Sequence, residues 1–290
     1  MLGATLLFGI NYWVAKGLMP GYLKPLQIIF LRISGALILI WLLELITPAA
    51  NKAKIQRKDL LRVAIAALLG ISLNQILFFT GLNQTTPVDS AIINSTNPLM
   101  VILLSYLFLK QPIKITKVLG IILGAFGALL LILNSSSYSF GNSGQIGNIY
   151  IVANTLSWSL YLVIVKPLTT KYHPYLLMRW VFLFGFFFAL PTTLKPFLDI
   201  NTSNFTLYTW FSIAYVIIGT TFLAYLFITF GLRRLSPPVV AFYTYIQPVI
   251  VAIIGILLFR EVISLAKILA ALLIFSGIYL VNKGPSNRKE

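Results

Sequence analysis

Ten runs of apolar residues, separated by short polar gaps, make up nearly all of this chain. They fall at about 1–19, 25–47, 59–82, 87–109 and 115–133, then at about 147–167, 174–194, 206–232, 237–259 and 265–282. Each is long enough to cross ~30 Å of hydrocarbon as a helix, and a helix satisfies its own backbone where no water is available. Periodicity inside the runs is weak, as expected for helices with lipid rather than water outside. The fourth run, TPVDSAIINSTNPLMVILLSYLFLKQPIKITK from Thr86 to Lys117, returns as SPPVVAFYTYIQPVIVAIIGILLFREVISLAK from Ser236 to Lys267. The offset is 150 positions without a gap, so Pro87 falls on Pro237, Pro98 on Pro248 and Asn97 on Gln247. It continues outside the run, pairing Lys16 with Lys166 and Gly81 with Gly231. A fixed offset over that length is a duplication.

Composition and charge add the membrane's sides. Of the 290 residues 59% are hydrophobic and 10% charged, against roughly 25% charged in a soluble domain. A net charge of +16 could suggest nucleic acid, but Lys and Arg sit in the short gaps, where topology explains them and no nucleic-acid partner is needed. Counted gap by gap, one side holds 15 (Lys52, Lys54, Arg57, Lys58, Arg62, Lys110, Lys114, Lys117, Lys166, Lys171, Arg233, Arg234, Lys283, Arg288, Lys289). The other holds five (Lys16, Lys24, Lys195, Arg260, Lys267). Positive charge stays inside, which predicts cytoplasmic termini in a cytoplasmic (inner) membrane. The first 19 residues lack the basic start and small-residue cleavage pattern of a signal peptide, so they read as a mature first helix.

The expected fold is an all-α integral membrane protein of ten transmembrane helices in two inverted five-helix repeats. The first repeat is 1–133, the uncharged Ser/Gly/Asn-rich 134–146 is a linker, the second repeat is 147–282, and 283–290 is a cytoplasmic tail. Five helices per unit is an odd number, so the copies must be antiparallel. Inverted repeats are the architecture of secondary transporters, which bind near the midplane at the repeat interface.

Four segments carry a family resemblance: LLFGINYWVAKGL (6–18), QIIFLRISGALIL (27–39), GLNQTTPVDSAIINSTNPLMVILLSYLFLKQPI (81–113) and AKILAALLIFSGIYLVN (266–282). They resemble the EamA domain of the drug/metabolite transporter superfamily, and the likeness covers nearly the whole chain, twice. The resemblance implies ten helices, cytoplasmic ends and export of small metabolites, often amino acids. One departure is local: such units usually carry Glu after the fourth helix, kept at Glu261 but replaced by Gln111 in the first copy.

Polar side chains within spans are the candidates for a substrate cavity, because burying them is costly unless they are partnered or wet. Ser90, Asn94 and Asn97 share one face of span 4, and Tyr243 and Gln247 one face of span 9. Pro98 and Pro248 each remove a backbone donor and free a carbonyl one turn earlier, at Asn94 and Thr244, which makes them candidate hinges. Asn11 with Phe8 in span 1, and Trp158 and Tyr161 with Asn154 in span 6, form a second set matched by the same offset. Span 3 adds Asn74 and Phe78, and span 8 adds Tyr225 with Thr221. Amides and aromatics together are the chemistry of a small-molecule pocket, although bonding between neighbouring helices would use the same residues. Gly120, Gly124 and Gly127 in span 5, and Ala270, Ala271 and Gly277 in span 10, suit close helix contact and suggest peripheral packing or a homodimer surface.

Two charges lie inside spans, Arg32 and Arg179. Each either snorkels to headgroups or draws an anionic group toward the cavity. Glu44 and Asp89 are near span ends, so no mid-membrane acid offers a proton relay, and His173 reads as a loop histidine beside Pro174. With one His, no Cys and six acids, neither a catalytic cluster nor a metal site is expected, and no cofactor. The function expected is secondary transport of a small-molecule substrate across the lipid bilayer by alternating access. Flipping of a lipid-linked substrate is the alternative, with a membrane-embedded enzyme behind it.

Overall fold

The computed structural model describes residues 1–46, 54–109, 115–133, 143–260 and 264–283, and among these every regular element is helical. The first repeat comprises α1 (Leu2–Leu18), α2 (Pro25–Ile46), α3 (Arg57–Ala67), α4 (Asn74–Gln84), α5 (Pro87–Asn94), α6 (Asn97–Leu109) and α7 (Ile115–Leu133). The second comprises α8 (Ser143–Lys171), α9 (Pro174–Leu198), α10 (Leu207–Ala214), α11 (Ala224–Arg234), α12 (Pro237–Phe242), α13 (Ile246–Phe259) and α14 (Leu265–Lys283). Grouped by continuity these are the ten spans. Helix α8 begins at Ser143, inside the expected linker, and α9 runs on through Pro191 and Pro196. The rest of the linker, the Gln111 and Glu261 positions and the C-terminal tail after Lys283 lie outside the described residues.

Helix starts follow local chemistry. Thr86 accepts from the Asp89 backbone N–H at 3.1 Å with Pro87 as the first helical residue. Thr206 and Thr209 form a reciprocal capping box on α10. An N-cap side chain satisfies a donor that the first turn leaves open, and proline is tolerated there because its missing N–H would have been unpaired anyway.

Four spans are not continuous α-helix. Between α3 and α4 the backbone winds as a π-helix over Leu68–Leu73, and between α10 and α11 over Tyr215–Leu223. The second stretch ends 150 residues after the first. The span expected as one kinked helix at 87–109 is broken at Ser95–Thr96, which puts Pro98 in the first turn of α6. Its repeat mate carries a 3-10 turn over Tyr243–Tyr245, and Pro248 falls in the first turn of α13.

The small-residue faces of spans 5 and 10 meet each other. A side chain at Gly127 would run into Ala270 and Ile274, and one at Gly277 into the backbone of Gly120 and Gly124. Those faces are thus occupied within the chain. Leu107, Phe108, Leu257, Leu258 and Leu272 are exposed on the outside of the bundle, an apolar belt suited to lipid.

Two lysines related by the repeat close the ends of their neighbours. Lys16 on α1 donates to the carbonyls of Leu82 (2.8 Å), Asn83 (3.0 Å) and Thr85 (2.8 Å) at the end of α4. Lys166 on α8 donates to those of Leu232 and Leu235 (2.9 Å) at the end of α11. The last carbonyls of a helix lack intrahelical donors and carry its negative end, so an ammonium group there is favourable.

Candidate functional site

A cavity of about 90 Å³ lies between the repeats, lined by residues of spans 1–4, 6, 8 and 9. One water needs ≳ 10–15 Å³ of such space, so there is room for a small organic molecule's core. Seven lining pairs are related by the 150-residue offset: Ala4 with Asn154, Phe8 with Trp158, Tyr12 with Leu162, Gln75 with Tyr225, Phe78 with Ile228, Asn94 with Thr244, and Asn97 with Gln247. The two copies of the unit therefore contribute equivalent positions. The cavity leans toward the end of the bundle that carries Met1, Val240 and Ala241. At the opposite end the mates of the last two, Ser90 and Ala91, do not line it. There Lys267 of the second repeat lies 3.4 Å from Asp89 of the first.

Of the ten polar and aromatic side chains expected at a cavity, Asn11, Asn74, Phe78, Asn94, Asn97, Trp158, Tyr225 and Gln247 line this one. Tyr161 lies one layer behind, fully buried, 5.0 Å from Trp158 and against Gly70. Tyr243 is away from the cavity and its neighbour Thr244 takes the place. The expected i, i+4 relation with Gln247 assumes an unbroken α-helix. The 3-10 turn winds about 20° more per residue, and three such residues rotate Tyr243 off the stripe.

A polar chain crosses the cavity from repeat to repeat. Thr155 donates to Asn94 Oδ1 (2.5 Å), Asn94 Nδ2 to the Tyr12 hydroxyl (2.6 Å), and that hydroxyl to Gln247 Oε1 (3.4 Å). Asn74 and Asn154 exchange amide-to-carbonyl bonds at 3.4 and 2.9 Å, and Thr220 donates to Asn11 Oδ1 at 3.2 Å. Asn97 Nδ2 donates to Ser159 at 2.9 Å, while its Oδ1 is buried without a partner. Both polar atoms of the buried Gln75 amide also lack a hydrogen bond of good geometry, although the Tyr225 hydroxyl lies beside it. Phe8, Trp158 and Tyr225 stand nearly perpendicular to one another, with centroids 5.4–6.2 Å apart, the edge-to-face arrangement that aromatic quadrupoles favour.

Tyr12, Gln75 and Phe79 were not assigned to the cavity from the sequence, and Arg32 was left between the cavity and the headgroups. A π turn takes up one extra residue, so after Leu68–Leu73 the inward face of α4 holds adjacent pairs, Asn74 with Gln75 and Phe78 with Phe79. Tyr12 could have been found as the repeat mate of Leu162, beside Asn11. The carbonyls loosened in the π stretches are taken up across the repeats. Tyr225 donates to Gly70 O (2.9 Å), Ser157 to Leu69 O (2.7 Å), and Arg32 Nη2 reaches Thr220 O (3.4 Å).

The two in-membrane arginines have different fates. Arg179 is half-buried, with its guanidinium 5.4 Å from the centre of Trp41, an exposed ring, and 5.9 Å from Trp180. Arg32 does not snorkel. It is 3% exposed, lines the cavity, donates from Nε to Thr221 Oγ1 at 2.7 Å and lies 4.6 Å over the Phe79 ring. It is the one charged side chain among the described residues of the lining.

Such a site, lined in equivalent pairs by two repeats of an apolar bundle, is that of a membrane transporter. The EamA-like transporter family matches the chain over residues 1–133 and again over 145–283, and the chain belongs to that family. It is 25% identical to the uncharacterized transporter YyaM of Bacillus subtilis (strain 168), over 96% of this chain and 90% of that protein. It is also 25% identical to Protein PecM of Dickeya dadantii (strain 3937), over 96% and 89%. A protein of solved crystal structure superposes with a TM-score of 0.68 at 17% identity, covering 100% of this chain and 97% of that one. At that identity the likeness concerns the fold.

Proposed function

We propose that this transporter is a secondary exporter that moves a small metabolite, such as an amino acid or a relative, by alternating access. The carrying observation is the cavity itself, whose lining is contributed in equivalent pairs by the two repeats. A pair of units that can exchange environments needs a site to which both contribute. Export proceeds as the closed end, held by Asp89 and Lys267, opens while the end at Met1 and Ala241 closes. The bends before Pro98 and Pro248 are where spans 4 and 9 give way, because the carbonyls of Asn94 and Thr244 have no proline N–H to hold them.

Purified chain reconstituted in vesicles and loaded with a panel of amino acids and their relatives tests this. Saturable counterflow of at least one small solute is expected, lost when Asn97→Leu and Gln247→Leu are combined. No flux of any small solute would overturn the proposal and turn attention to lipid-linked cargo.

A further inference from the structure

Resting on the transport reading above, we propose that the cargo carries a single carboxylate, received by the Arg32 guanidinium and the Gln75 amide, with its body held among aromatic rings. A guanidinium inside the apolar thickness of a bundle is expensive unless it is paired or wet. Two of its five N–H groups are used by span 8, on Thr221 Oγ1 and Thr220 O. The remaining donors have, among the described lining residues, no acidic partner. Phe79 beneath the charge and Thr221 beside it fix the fork from two sides.

Gln75 supplies the second half. Its amide is 2% exposed and lines the same cavity. Neither of its polar atoms has a hydrogen bond of good geometry, an uncommon condition for buried groups in native proteins, and the Tyr225 hydroxyl beside it already gives its proton to Gly70 O. Gln75 stands one turn before Phe79 on α4, and Arg32 lies over the Phe79 ring, so the fork and the amide share one side of the cavity. A planar carboxylate accepts from such a fork through two oxygens. One guanidinium among otherwise neutral side chains balances one negative charge, so a phosphate dianion would leave charge unpaired beside it. Phe8, Trp158 and Tyr225 offer perpendicular faces for an apolar or aromatic body. The buried, unpartnered Oδ1 of Asn97 offers an acceptor to a donor elsewhere on the cargo.

The test uses isosteres. Full-length chain in lipid nanodiscs is titrated by calorimetry with phenylacetate, phenylacetamide and phenyl phosphate. Phenylacetate is expected to bind at least about tenfold tighter than its amide. Arg32→Gln is expected to lose about 30-fold in phenylacetate affinity, the scale of a charged hydrogen bond, and to abolish the preference. Gln75→Leu keeps the cation and is expected to lose several-fold for phenylacetate alone. Should Arg32→Gln fail to fold, the isostere ratio in the unaltered chain and its fall in Gln75→Leu decide. Equal binding of acid and amide, no binding of the acid, tighter binding of phenyl phosphate, or a preference that survives both substitutions would overturn the proposal. Flux of neutral solutes in the vesicle experiment, measured alongside, separates that result from failure of the transport reading itself.

Discussion

At the scale of single residues the structure is held by polar groups that each answer a specific deficit. Lys166 covers carbonyls at the end of α11 that no backbone N–H reaches. Lys166→Met is expected to cost about 2 kcal/mol, within the range for charge-assisted bonds, read as a lowered unfolding midpoint in detergent. No change would mean that water or lipid headgroups serve those carbonyls equally well. Gly70 is required by the Tyr161 ring, which a Cβ there would overlap. Gly70→Ala should destabilise by about 1–3 kcal/mol as overpacking, and Tyr161→Ala in the same chain should recover part of that loss. His173, outside the spans, is held below its ordinary value of 6.5 by burial and by Arg233, and its ring packs on Tyr175 at 5.0 Å. The unfolded chain therefore takes up the proton first. Stability from this site is full above about pH 6.5 and falls as pH drops toward the depressed folded value. His173→Phe should flatten that acid-side loss in unfolding curves measured from pH 7.5 to 5; an unchanged slope would contradict the assignment.

At the scale of elements, the breaks place the cavity. Pro248 denies Thr244 a helical partner and leaves a 3-10 turn before α13. Pro248→Ala restores that N–H, so amide exchange over residues 244–248 should slow and counterflow should fall. Faster exchange there would show that the proline is rigidifying the bend and not opening it. Apolar runs, the 150-residue repeat and the polar stripes of the unbroken spans 1 and 6 were legible from spacing alone, since α-helical periodicity holds where the helix is regular; Asn94 and Asn97 line the cavity although the break at Ser95–Thr96 lies between them. Three things were not legible. The π stretches depend on side chains from the opposite repeat, Tyr225 on Gly70 and Ser157 on Leu69, and no local pattern encodes a partner 88 or 155 residues away. Those stretches bring Gln75 and Phe79 inward; the 3-10 turn takes Tyr243 outward. The burial of Arg32 followed from Thr221 and Phe79 closing round it, whereas position along span 2 equally allowed snorkelling.

At the scale of the whole molecule, the account rests on two equivalent halves whose exchange of environment moves the cargo. The structure is asymmetric: Ala241 lines the cavity while its mate Ala91 does not, and Asp89 and Lys267 approach each other at Ala91's end. Asp89→Asn should weaken that closure and raise access from its side. The chain has no cysteine, so single cysteines can be introduced without background. The most direct measurement is labelling of Ala241→Cys and Ala91→Cys, in separate chains, by a membrane-impermeant maleimide applied to either face of sealed vesicles. The account predicts that position 241 reacts only from the face bearing Arg233 and Arg234, position 91 only from the other, and that transported substrate slows both. Reaction of both from the same face, or of either equally from both faces, would contradict it.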